Sequence, residues 1–316
     1  MSICIDRCSP RVQKLLLLLS VCLLCSPLPA QIFVANNNGT VAAYTTGGTL
    51  QNPAFISGLY APAALAYDNG YLYTASIVGF GDTRAVINKY NISGTQVGAS
   101  ILSGPQQYFP SALAADGHDH LYVGFNDGSV WAYSTSGTPL YSSPLFMLSG
   151  RPGGFAFGPN GDLYATSGYG NITEFTTAGQ LINNWNFPSL GYPSGLAVSG
   201  NFLYAEGQNG QVSKFTTSGS AVNLNLLSGF VDARSLAADN LGHLFVADGY
   251  LNRVGEYSIS GATINDSFIT AGLAYPTAIA LVPEPGVASM LLPGAVALLA
   301  ARRRKGTGRK CGSHGR

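Results

Sequence analysis

SLAADNLGHLFVADGYLNRVGEYSISG, Ser235 to Gly261, carries three signals in one short run. A small, apolar stretch leads to Asp239, the aliphatic–aromatic pair Leu244-Phe245 opens a β-branched segment, and Tyr257 stands four residues before Gly261. All three recur along the chain. The aliphatic–aromatic pair returns as IFVA at Ile32, LYTA at Leu72, LYVG at Leu121, LYAT at Leu163 and LYAE at Leu203, with its aromatics about 40 to 49 residues apart. That period belongs to four-stranded blades or to helical arrays. The aromatic-to-glycine step recurs at Tyr44/Gly48, Tyr90/Gly94, Tyr133/Gly137, Phe175/Gly179 and Phe215/Gly219. Each reads as a strand ending in a tight turn where glycine takes positive φ without steric cost. The small apolar stretch recurs as PAALAY from Pro62, PSALAA from Pro110, PGGFAF from Pro152, PSGLAV from Pro193 and PTAIAL from Pro276.

A unit therefore runs small inner strand, turn, aromatic strand, turn, third strand, glycine turn, outer strand. Turn density and β-branched content exclude helices, and small inner strands suit crowding around a central axis, so the chain reads as an all-β propeller. The ends set the blade count. Gln31 begins directly on an aromatic strand, and PTAIAL is an inner strand with nothing after it, so the two halves combine into one composite blade. Five whole units and this shared one predict six blades, a ring closed by the N- and C-terminal strands that leaves no open sheet edge. The second unit fits least well, stretched by an insertion from Ile77 to Arg84.

Charge and cysteine usage narrow the function. The formal net charge is +1, but from Gln31 to Pro285 six Lys/Arg face fourteen Asp/Glu, a body charge of about −8 with the remaining bases at the two ends. An acidic body argues against nucleic-acid binding, which needs a basic surface. Cys4, Cys8, Cys22 and Cys25 precede the body and Cys311 follows it, so the body has neither a disulfide framework nor a thiolate metal site.

The units, above all ALAADGHDHLYVGFNDGSVWAYSTSG and Ser235–Gly261, resemble NHL-type repeats, with the likeness covering Gln31 to Leu281. The resemblance implies a fold rather than an activity, because such propellers serve as scaffolds, receptors and enzymes. No G-x-S-x-G occurs. His118 and His120 flank Asp119 in one turn and His243 occupies the corresponding turn of the last unit. Two histidines at i, i+2 could share a metal with Asp116 or Asp119, but solvent-exposed turn residues are the simpler reading. Asp68, Asp116 and Asp239 recur after inner strands, where a carboxylate accepts hydrogen bonds from the turn's own N–H groups. Six-bladed lactonase-type propellers bind calcium in the central channel. By that likeness Glu206 and Asp248, near the channel mouth, are weak metal candidates, although calcium wants six or more oxygens and several converging carboxylates. No cofactor is therefore expected, with calcium the sole weak candidate.

The flanks speak to destination. Arg7, Arg11 and Lys14 precede a leucine-rich run to Leu24 and then Ser26-Pro27-Leu28-Pro29-Ala30, the pattern of a signal peptide over residues 1–30 with cleavage after Ala30. An uncleaved anchor is one competing reading. Acylation at Cys22 or Cys25 is another, for which Val21 and Leu24 are too bulky. At the other end, Pro283-Glu284-Pro285 is followed by about 16 uncharged, mostly apolar residues and then Arg302-Arg303-Arg304-Lys305. Such a helix spans about 24 Å, short of the ~30 Å hydrocarbon core, and the arginines place the tail in the cytoplasm. This three-part order resembles the PEP-CTERM sorting signal, which places residues 283–305 in the signal and 306–316 in a cytoplasmic tail. The resemblance implies recognition by an exosortase-type processing enzyme, transient residence in the inner membrane, then release to the cell surface or extracellular matrix, and it implies exopolysaccharide or surface proteins as partners. The expected function is thus a non-enzymatic surface or matrix protein whose propeller, residues 31–282, is a binding scaffold. The alternatives are a calcium-dependent lactonase-like hydrolase and a plain membrane-anchored receptor.

Overall fold

The computed structural model describes residues 31–103, 109–239 and 241–282. The signal peptide, with its cleavage after Ala30, and the sorting segment with Pro283, Glu284, Pro285, Arg302, Arg303 and Arg304 lie outside these residues. The described strands form six four-stranded antiparallel sheets. Blade 1 is composite: Pro276–Val282 is its inner strand and pairs with Gln31–Asn36, from Gln31↔Val282 to Asn36↔Pro276. Blades 2 to 6 begin with the inner strands Tyr60–Asp68, Pro110–Ala115, Pro152–Phe157, Gly195–Ser199 and Ala233–Ala238. The blade count and the closure match the sequence reading.

Period-2 alternation explains how the ring holds together. Successive side chains of a strand point to opposite sheet faces, and here each face meets a neighbouring blade. In the strand Gln31–Asn36, Phe33 and Ala35 join a buried cluster with Leu65, Leu72 and Tyr90 of blade 2. Ile32 and Val34 join another with Phe245, Ala247 and Val254 of blade 6. The six buried clusters correspond to the six blade interfaces, so the core is itself a ring. Strands buried on both faces become nearly continuous apolar runs, which is why the aromatic strands read IFVA and LYVG rather than apolar–polar alternation.

Tyrosines fasten the blades. The hydroxyls of Tyr122 and Tyr204 each donate to a carbonyl in the next blade, at Thr177 (3.3 Å) and Ile259 (3.2 Å), whereas that of Tyr164 donates to Glu174 Oε1 of its own blade (2.5 Å) and lies 3.3 Å from the Thr217 carbonyl of the next. Burial pushes the Tyr204 phenol up to about 12. The insertion Ile77 to Arg84 is a continuation of the ladder: strands Tyr71–Gly79 and Asp82–Asn91 extend past the other blades as a hairpin, paired through Ile77↔Ala85 and Gly79↔Asp82. Phe80 at its tip is 93% exposed.

Candidate functional site

The inner strands surround a channel, and all six start at the same mouth. Here their small residues, among them Ala63, Ser111, Gly153 and Gly195, wall a cavity of about 460 Å³. One bulky apolar residue per inner strand also lines it: Leu65, Leu113, Phe155, Leu196, Leu236 and Ile279. Leu196 and Leu236 line a second cavity of about 250 Å³ as well, shared with Val198 and Leu281 further along these strands. The six bulky residues form a girdle between the two halves, so the mouth is a cup with an apolar floor. The sequence reading expected small inner strands with no room for large side chains at the axis. Instead each strand is small where it starts and carries one bulky apolar residue further along that lines the channel.

The rim of the cup is polar. Arg234 donates through Nε to Asp232 Oδ2 (2.7 Å) and through Nη2 to the Tyr275 hydroxyl (2.7 Å), which itself donates to Asp232 Oδ2 (2.6 Å). Burial disfavours the Arg234 cation, but Asp232 and Tyr275 outweigh it and hold its pKa above the ordinary guanidinium value. Arg151, across the same cavity, makes no side-chain hydrogen bond or ion pair among the described residues. Solvent reaches it, yet enclosure by the channel wall and then the Arg234 charge pull its pKa below the ordinary value.

Behind the rim, Glu206 is the penultimate residue of the strand Phe202–Gly207 and is 2% exposed. The equivalent position in the other aromatic strands is Ala35, Ala75, Gly124, Thr166 or Ala247. Burial, and then the neighbouring Asp232 charge, push the Glu206 carboxyl up to about 9. Ser194 Oγ lies within hydrogen-bond reach of both Glu206 Oε2 and the Ala233 carbonyl oxygen, the latter at 2.8 Å.

Asp248 does different work. Fully buried at the end of the strand His243–Asp248, it accepts the N–H groups of Val231 (2.9 Å), Leu251 (3.2 Å) and Asp232 (3.3 Å). Asn36, the equivalent residue of blade 1, accepts the N–H of Ala274 (3.0 Å). Both pin the loop entering their own blade's inner strand. The two candidate carboxylates thus differ in kind: burial raises the pKa of Glu206, and Asp248 is occupied by backbone donors. Among the described residues no three His, Cys, Asp or Glu side chains group closely enough to hold a metal ion.

At the opposite end of the channel, two of the three recurring aspartates act as turn acceptors. Asp116 Oδ1 takes the N–H of His118 (2.7 Å) and of His120 (3.2 Å), and Asp239 Oδ1 takes those of Leu241 (2.9 Å) and His243 (2.8 Å). Their other oxygens meet Nδ1 of His120 and of His243, both at 2.8 Å. Asp68 departs from the pattern. Its carboxylate takes the Asn69 side-chain amide instead (3.3 Å), and burial followed by the Asp116 and Asp119 charges raises its pKa.

Aromatic residues ring the cup, a feature that lies in loops outside the repeated motifs. Tyr60–Phe80, Tyr169–Tyr192 and Tyr250–Tyr275 pair at 6.5, 4.7 and 5.4 Å between ring centroids. All six belong to loops or strand ends on the face where the inner strands start. Tyr169 is 70% and Tyr250 66% exposed.

No protein-family model matches the sequence, and no curated protein matches it. Solved structures do. A chain in the crystal structure of the nidogen/laminin complex superposes with a TM-score of 0.66 at 16% identity, over 80% of this chain and 98% of that one. A protein of unknown function from Bacteroides caccae gives 0.58 at 12% identity, over 81% and 99%. Virginiamycin B lyase from Staphylococcus aureus gives 0.53 at 19% identity, over 69% and 73%. The likeness is one of fold. The chain is a six-bladed β-propeller.

Proposed function

We propose that this chain is an exported, non-enzymatic binding scaffold whose working surface is the aromatic-ringed face of the propeller. The observation that carries the reading is the set of three aromatic pairs around the cup, five of whose six rings are exposed. Exposed tyrosines offer large, rigid contact area at low entropic cost and are the usual anchors of recognition surfaces. They cost solubility unless something covers them. The small-residue inner strands keep the cup open beneath them, so a ligand can rest on the rim and reach inward. The signal-peptide pattern and the Pro283-Glu284-Pro285 tail support a place for this surface outside the cell, on the cell surface or in the extracellular matrix, after processing by an exosortase-type enzyme.

The test is binding of the mature protein to exopolysaccharide and to surface proteins purified from the producing cell. Tyr169→Ala combined with Tyr250→Ala is expected to weaken binding tenfold or more, about 1.4 kcal/mol, with the melting temperature unchanged because both rings are exposed. Equal binding by the double variant and the wild type would refute the assignment of this face.

A further inference from the structure

The acidic body contains six cations, and the described structure accounts for most of them internally. Lys89 lies 3.9 Å from the centroid of the Tyr71 ring, and Lys214 lies over Phe202 (4.1 Å) and donates to the Ile259 carbonyl (3.0 Å). Arg234 is tied to Asp232 and Arg253 to Asp266. Arg151 is different: it stands in the cup with no side-chain partner among the described residues, facing the like charge of Arg234. Two guanidiniums face one cavity, and one of them, Arg151, has no carboxylate partner among the described residues. An anion entering between them gains a charge-assisted bidentate contact and relieves the repulsion. Tyr192 lines the same cavity, half exposed and braced by Tyr169. An aromatic face and a guanidinium in one cavity suit a ring with an apolar C–H face and a carboxylate on its edge. A cavity of about 460 Å³ lies within the range of small-ligand sites.

We propose that the cup binds an acidic saccharide end, a uronate, with Arg151 holding its carboxylate and Tyr192 supporting its ring. This rests on the reading of the aromatic face as a binding surface and names the ligand class of its centre. Arg151 is a specificity residue here, because it selects acidic over neutral sugars.

The experiment is calorimetric titration of the mature chain with digalacturonate, its neutral counterpart galactobiose, and inorganic sulfate as a bare anion. The expected result is saturable binding of digalacturonate that weakens as salt is raised, with galactobiose at least tenfold weaker. Arg151→Gln is expected to lose tenfold or more in affinity without a change in melting temperature, since this side chain holds nothing in the fold. Arg151→Lys is expected to recover part of the loss, and Tyr192→Ala to weaken digalacturonate but not sulfate. No saturable digalacturonate binding by the wild type, or equal affinity in Arg151→Gln, would overturn the proposal. Sulfate binding as tightly as digalacturonate would overturn the saccharide assignment. Binding to purified matrix that depends on Tyr169 and Tyr250 but not on Arg151 would overturn the proposal and leave the face reading intact. Matrix binding indifferent to Tyr169 and Tyr250 would instead count against the face itself.

Discussion

At Glu206 the fold keeps a carboxylic acid where the other aromatic strands place alanine, glycine or threonine. The consequence is a pH-dependent stability of definite sign. Unfolded, this group ionises near its model value of 4.5. Folded, burial holds it protonated to about 9. Between those limits the native state binds a proton that the unfolded chain has released, so raising the pH favours unfolding. Its contribution is complete below pH 4.5 and is lost as pH climbs toward 9, on the order of a few kcal/mol in all. Glu206→Gln, which keeps an acceptor oxygen for Ser194, is expected to leave the melting temperature unchanged near pH 4 and to raise it at pH 8. Thermal unfolding of both proteins across that range is the measurement, and parallel pH profiles would show that Glu206 titrates normally in the fold. The sequence carried the signal as an outlier in a repeated column, but the raised pKa follows from burial between blades and then from the charge of Asp232, neither of which the repeat reveals.

Among the elements, the glycine turns show how much a repeat reveals and where it stops. Gly137 has φ +96°, as expected of the turn between third and outer strands. Its second role is invisible in the sequence: an added Cβ would sit 2.6 Å from the Ile101 carbonyl oxygen of blade 2. Gly48 repeats this against the Phe268 carbonyl oxygen of blade 6, at 2.7 Å. Backbone conformation and blade contact therefore both require glycine. Gly137→Ala is expected to cost about 2 kcal/mol, more than positive φ alone exacts, and to lower the melting temperature by about 4–8 °C for a domain of this size. Calorimetry decides it, and a loss under 1 °C would mean that the blades separate freely at this point. The insertion Ile77 to Arg84 was legible as an irregularity, but the ladder it continues was not, because no other blade supplies a register for it.

For the whole molecule, closure between Pro276–Val282 and Gln31–Asn36 joins residues some 240 positions apart. Without it, blade 1 would lose its inner strand and the ring would expose an unpaired edge. Deleting Pro276–Val282 is expected to abolish the single cooperative melting transition and to drive self-association. Calorimetry and size-exclusion chromatography test this, and a monomer melting as the wild type does would show that the ring needs no clasp. The proposed export route is tested at the same scale. Glu284→Ala is expected to leave the chain unprocessed and membrane-held, as judged by intact mass in each cell fraction. Processing identical to the wild type would remove the sorting proposal.

Periodicity alone determined the fold class, the order of strands in a blade, the number of blades and the composite closure. Each of these follows from local chemistry repeated at a fixed interval: small residues at the axis, aromatics between blades, glycine at the turns. What only the tertiary structure decided lies where the repeat is broken and where residues from different blades meet. The apolar girdle takes one side chain from each of six inner strands. Arg151 and Tyr192 share a cavity although they lie in loops of different blades, and the aromatic pairs form between loops with no common motif. A repeat specifies contacts that recur in every blade. The cup and its rim arise from contacts that occur once, and their chemistry depends on distances that only the closed ring fixes.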